Sequence, residues 1–177
     1  MRFGAHMRKL LVMAIAFVAT AAFASDITRS SVVAEMNVRR VAAGLPQLHE
    51  DVRLDQAADD RVTDMEDEGY WSHVSPEGRE PFVWLQPHGY DYQYAGENLA
   101  SGFDTVEVLV DAWMESKGHR ANILSPIYQD CGVAIVEGST TRRASGKSIV
   151  VMFGRQRTPT VAASEPSSTD RSRGTRQ

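Results

Sequence analysis

One cysteine, no apolar stretch long enough to cross a bilayer and an acidic main body exclude several classes of protein before any motif is read. Cys131 is the only thiol, so no disulfide framework within the chain can hold the fold and an apolar core has to do so. In the run Cys131-Gly132-Val133-Ala134-Ile135-Val136 it reads as a small buried apolar residue rather than a reactive thiol. Motifs for common chemistries are missing too: there is no G-x-S-x-G elbow, no Walker loop and no G-x-G-x-x-G. His49-Glu50 opens like a zincin helix, but Arg53 stands where the second histidine belongs.

The formal net charge is -4, and without Arg2, Arg8 and Lys9 it becomes -7. The stretch 157–177 holds four arginines against Glu165 and Asp170, which leaves about -9 on the body between. A body so acidic lacks the basic face that nucleic acid or an anionic membrane surface would need. Residues 1–24 carry those three early cations, then an apolar run of fourteen residues from Leu10 to Phe23, then Ala22-Phe23-Ala24. This is the pattern of a secretory signal cleaved near Ala24, too short for a stable membrane span. The stretch 157–177, rich in Ser, Thr, Pro and Arg and without aromatics, is expected to be a disordered tail. One folded domain is therefore expected over 28–156.

Within that domain, Val32, Val33, Met36 and Val41 mark a first helix ended by Gly44 and Pro46. Leu54, Ala58, Val62 and Met65 mark a second, from about Asp51 to Glu68, whose opposite face is acidic and reads as solvated. Gly69 ends it and delivers His73 directly afterwards. Pro81 to Gln86 reads as a short helix with Phe82 and Leu85 inward, and His88 as a loop residue without a partner. In Y-A-G-E-N-L-A-S-G, Gly96 offers backbone freedom that turns Glu97 inward, and Asn98 fixes the turn. Asp104 and Glu107 form an acidic capping box for a helix carrying Val106, Leu109, Val110 and Trp113. Gly118 is read as its stop, with His119 in the loop that follows. Gly132–Val136 and Ile149–Phe153 read as a β-hairpin covered on both faces.

Three polar residues occupy similar places: His73 after a helix, Glu97 beside a glycine, His119 after another helix. Two imidazoles and a carboxylate suit zinc with a position left for water. They suit a base, an acid and an orienting group around a polar cleft equally well. Their separations, 24 and 22 residues, match no local metal motif and do not decide between the two.

The motifs S-H-V-S-P at His73, G-E-N-L-A at Glu97 and W-M-E-S-K-G-H-R-A-N-I-L at His119 stand before Cys131-Gly132-Val133-Ala134. In this order they resemble the bacterial branch of the CAP superfamily, the SCP domain of cysteine-rich secretory, antigen-5 and pathogenesis-related proteins. The resemblance runs from about Val32 to Arg155 and takes in M-N-V-R-R-V-A-A-G-L-P-Q-L near its start. It implies an α+β fold, an α-β-α sandwich with a small antiparallel sheet between helical layers. It also implies an open cleft with two histidines and two acidic residues, of which His73, Glu97 and His119 match three. The place of the fourth is held by Ser116, with Glu115 one residue earlier, so these two are the further cleft candidates.

The function expected from the resemblance is a monomeric secreted or periplasmic domain. Its cleft would bind Zn2+ or another divalent cation through His73 and His119, assisted by Glu97, together with a small ligand such as a lipid or sterol. A hydrolase using metal-bound water or Glu97 as base is the alternative, although no nucleophile is evident. A structural interaction domain is a third.

Overall fold

A computed structural model describes residues 25–137 and 146–158. The signal expected over 1–24 and nearly all of the tail expected over 157–177 lie outside the described residues. In chain order the elements are α1 (Arg29–Ala42), β1 (His49–Glu50), α2 (Val52–Asp67), β2 (Tyr92–Phe103), α3 (Val106–Glu115), α4 (Lys117–Ile123), β3 (Asp130–Glu137) and β4 (Lys147–Gln156). The sheet runs β1-β3-β4-β2. The expected hairpin is there, with Val133 opposite Val151, and β2 continues the antiparallel sheet on the other side of β4. β1, which periodicity did not reveal, joins β3 in parallel.

Side chains alternate across a strand, so each residue of β4 chooses a layer. Ile149, Val151 and Phe153 pack with α1, α3 and α4 through Met36, Leu109, Trp113 and Ile123. Val150 and Met152 face α2 through Leu54, Ala58, Val62 and Met65. This gives the α-β-α sandwich that the resemblance implies and explains why β4 reads as a continuous apolar run. Cys131 lies in the α1 side of the core, where burial pushes its thiol up to about 12, as befits a packing residue.

Sequence signals fix both long helices. Thr28 and Ser31 form a reciprocal capping box at α1. Asp51 caps α2 through the Arg53 amide. Gly44 and Gly69 take the left-handed backbone that closes each helix. α2 lies close on β3 because Gly132 has no side chain: a Cβ there would overlap the backbone of Leu54 and Asp55. Asp55, read as part of the solvated face, is buried and accepts a 2.7 Å bond from the Val133 amide.

Several expectations are corrected. Y-A-G-E-N-L-A-S-G is not a turn but the middle of β2, because Gly96 lies beneath Tyr128, whose Oη would come within 2.5 Å of any Cβ. The stretch 81–86 forms successive turns rather than a helix, although Leu85 is buried as expected. His88 has a partner, with Nε2 2.8 Å from Asp60. The Asp104–Glu107 capping box is absent: Thr105 is the N-cap of α3, its side chain making no cap bond, and Glu107 receives the Ser25 amide.

Gly132→Ala should lower stability by about 1–3 kcal/mol through overpacking between α2 and β3. Denaturant unfolding checks this, and a stability equal to wild type would contradict the contact described.

Candidate functional site

β2 builds the site with two consecutive residues. Glu97 points to the α2 layer and Asn98 to the α4 layer, and β2 is the last strand of the sheet, so segments from both layers approach one another beside it. On the α2 side, Glu97 is buried and its two oxygens are divided. Oε2 accepts from Arg61 Nε at 3.0 Å, and Oε1 lies 2.7 Å from His73 Nδ1. Arg61 itself is fully buried in α2. It donates to the carbonyls of Ser72 at 2.6 Å and His73 at 2.9 Å, and to the Tyr70 hydroxyl. Its guanidinium also lies over the Trp84 ring, 4.8 Å from the centroid. One buried cation thus shapes the loop that carries His73 and holds the carboxylate that orients its ring.

His119 is not in a loop after a glycine stop. The chain breaks at Ser116, which is extended (φ -84°, ψ 122°), and His119 belongs to α4. Gly118 is not among the residues with positive φ. Three side-chain bonds secure this helix to β2. Asn98 donates to the His119 carbonyl at 3.2 Å, and Asn122 donates to the Glu97 carbonyl at 3.0 Å and to the Asn98 side chain at 2.9 Å. The His119 ring meets Trp113 edge-on at 6.4 Å.

The two imidazoles are displaced in opposite directions. The hydrogen bond that His73 donates to Glu97, reinforced by the carboxylate charge, raises His73 against the opposing effect of burial. Burial lowers His119, and the charge of His73 lowers it further. His73 is the more open, with 56% of its side chain exposed, against 1% for Glu97.

Structure sets His73 against Glu97, and Asn98 and Asn122 tie the helix that carries His119 to the same stretch of β2. Glu97 is engaged by protein groups at both oxygens, so it stands behind His73 as an orienting carboxylate. Glu115 is exposed at the end of α3 and Ser116 is the residue at the break; neither side chain bonds to the other three. Among the described residues no group of three or more His, Cys, Asp or Glu is disposed to hold a metal ion. The donors on hand for a cation are thus two imidazoles. His73 engages Glu97 through Nδ1, so Nε2 is the nitrogen it could offer to a ligand, as carboxylate-supported histidines do.

Sequence reasoning missed Arg61. Its signal is its place on the apolar stripe of α2, three residues after Ala58 and four before Met65, where a cation has to be paired.

The family described as "CAP: Cysteine-rich secretory protein family" matches residues 33–153. The protein YkwD of Bacillus subtilis strain 168 is 41% identical over 118 residues, which is 66% of this chain and 46% of YkwD. The membrane protein YlbC of the same organism is 34% identical over 56% of this chain and 29% of its own length. This chain thus spans less than half of each curated relative. An extracellular protein of Bacillus anthracis that contains an SCP domain superposes with TM-score 0.62 at 27% identity, over 72% of this chain and 40% of that one. An outer surface protein of Borrelia burgdorferi shares the fold, with TM-score 0.63 at 19% identity over 76% of this chain and 100% of its own.

Two outcomes follow from the site. Arg61→Met leaves the Glu97 charge buried and should destabilise the fold by about 3–5 kcal/mol in chemical denaturation; a loss under about 1 kcal/mol would show that the pair is dispensable. In an NMR pH titration, His73 should titrate above the ordinary imidazole value of about 6.5 and His119 below it. Glu97→Gln should bring His73 down. For stability the signs are opposite. The His73 contribution is complete below about 6.5 and fades as pH rises through its raised value, whereas the His119 contribution is complete above about 6.5 and fades as pH falls through its lowered value. The reverse order of titration would contradict the geometry.

Proposed function

The chain belongs to the CAP family of cysteine-rich secretory proteins, and from that premise we propose that it acts as a binding domain outside the cytoplasm, with His73 and His119 taking a divalent cation such as Zn2+. The extracellular and surface settings named for its structural relatives support the location. The observation that carries the cation reading is the 2.7 Å contact between His73 Nδ1 and a buried carboxylate, which orients one imidazole beside a second. Bound there, the cation would supply Lewis acidity and a strong electrostatic anchor for an anionic or carbonyl oxygen. The protein's own part is to hold both rings, with Arg61 behind Glu97 and Asn98 behind α4.

A lipid or sterol, the further ligand this reading includes, would find apolar surface away from the histidines. A groove of about 640 Å3 runs along α1, walled by Val33, Val38 and Val41 and edged by Asn37, Gln47 and Glu50. Val38 and Val41 are more than half exposed, which is unusual for aliphatic side chains that sit together.

Hydrolysis is a second reading, favoured by the opposite displacement of the two imidazoles. Environments that separate two similar groups are how acid and base roles become assigned.

Calorimetric titration of Zn2+ tests the first reading. Wild type should bind, and His73→Ala and His119→Ala should each abolish measurable heat. Glu97→Gln should weaken binding by about 10–100-fold. Affinity should fall as pH drops through the imidazole range, because protons compete for the same nitrogens. Equal binding by all four proteins would reject the site. A screen with peptides, esters and cell-wall fragments tests the second, and turnover that survives loss of both histidines would reject it.

A further inference from the structure

The turns between α2 and β2 leave a groove that no part of the histidine site uses. Its main hollow, about 370 Å3, is lined by Glu80, Phe82, Val83, Gln86 and Tyr92. Gln86 also lines a smaller hollow of about 200 Å3 with Gly89 and Asp91. Phe82 and Tyr92 form the wall of the first, with ring centroids 6.1 Å apart and planes inclined at 57°, so that the two rings make a corner rather than a stack. Both rings are only partly buried, and Val83 beside them is 48% exposed.

The polar groups around this corner are unengaged. The carboxylate of Glu80, the amide of Gln86 and the hydroxyl of Tyr92 make no hydrogen bond with other described residues, whereas most polar side chains between residues 51 and 91 are paired. Asp91 at the far end is exposed and only loosely joined to Arg157, at 3.4 Å. Apolar rings flanked by planar amide and carboxylate groups are the usual composition of a small-molecule site.

We propose that this groove binds a neutral oligosaccharide. A pyranose ring has one C–H face that lies against an aromatic ring, whose π-face is electronegative. Its rim of hydroxyls donates to carboxylates, and an amide can both donate to it and accept from it. Glu80, Gln86 and Asp91 provide those groups around the Phe82–Tyr92 corner. Two carboxylates at the rim of an acidic body disfavour sulfated or uronic polymers. A cationic peptide would be met by the same carboxylates, and the binding test separates it from a sugar.

The test uses the chain with its fold intact and two neutral probes, N-acetylglucosamine oligomers and cellooligosaccharides, followed by NMR shift perturbation and calorimetry. At least one series should bind, with the largest shifts at Gln86 and Tyr92 and with affinity rising with oligomer length. Gln86→Ala and Tyr92→Ala should each weaken that binding tenfold or more, and Gln86→Ala should leave the unfolding curve near wild type, because Gln86 is exposed whereas Tyr92 packs in part against the α2-side core. His73→Ala should bind the sugar as wild type does, which separates this site from the cation site. Binding of neither series, binding indifferent to both groove substitutions, or binding only of a basic peptide would overturn the proposal.

Discussion

A guanidinium with no exposed surface must find acceptors from several segments at once, and Arg61 finds them on β2 and in the loop that carries His73. It pairs with Glu97 on β2, takes the carbonyls of Ser72 and His73 from the loop, and lies between Tyr70 and Trp84. Removing two charges from water costs several kcal/mol per ion, and only a complete set of partners offsets it. The loop after α2 is therefore held where it can supply carbonyls to that cation. The position of His73 depends on this requirement more than on its own contacts, since more than half of its ring is open to solvent.

A second buried guanidinium does comparable work on the other layer. Arg40 of α1 donates to the carbonyls of Ile123 and Ser125 at 2.8 Å, of Pro46 at 2.9 Å and of Tyr128 at 3.3 Å. Ile123 ends α4, so a cation lies against the negative end of that helix. Seven residues are too few for a helix to persist alone. α4 persists because Arg40 holds its end and Asn98 and Asn122 hold its side, and His119 is carried with it. Buried polar contacts, added to the packing of Ile123 in the core, thus fix both imidazoles.

These same contacts mark the limit of what the sequence makes legible. The apolar spacing of α1 and α2 and the double-sided runs of β3 and β4 follow from burial alone, so period and composition reveal them. β2 defeats local reasoning because it is rich in turn formers, and Gly96 is there for a reason distant in sequence, the Tyr128 ring above it. The break between α3 and α4 is similarly obscured: Gly118 carries the familiar signal, yet Ser116 makes the turn. The three site residues are legible through their surrounding motifs. Their supports Arg61, Arg40 and Asn98 are not, because a polar residue on an apolar stripe declares that it needs a partner without naming which one.

The division of labour on β2 follows from the pleat. Adjacent residues face opposite layers, so one strand can reach Arg61 with Glu97 and the α4 backbone with Asn98 without any bend. A one-residue slip of β2 would exchange the two, setting a carboxylate against a helix carbonyl and an amide against a guanidinium. Register is pinned against that slip by the long pairing with β4, from Tyr92 opposite Gln156 to Phe103 opposite Lys147. The sheet therefore does more than separate two helical layers. By fixing which face each of two neighbouring side chains meets, it ties the loop of His73 and the helix of His119 to the same edge strand.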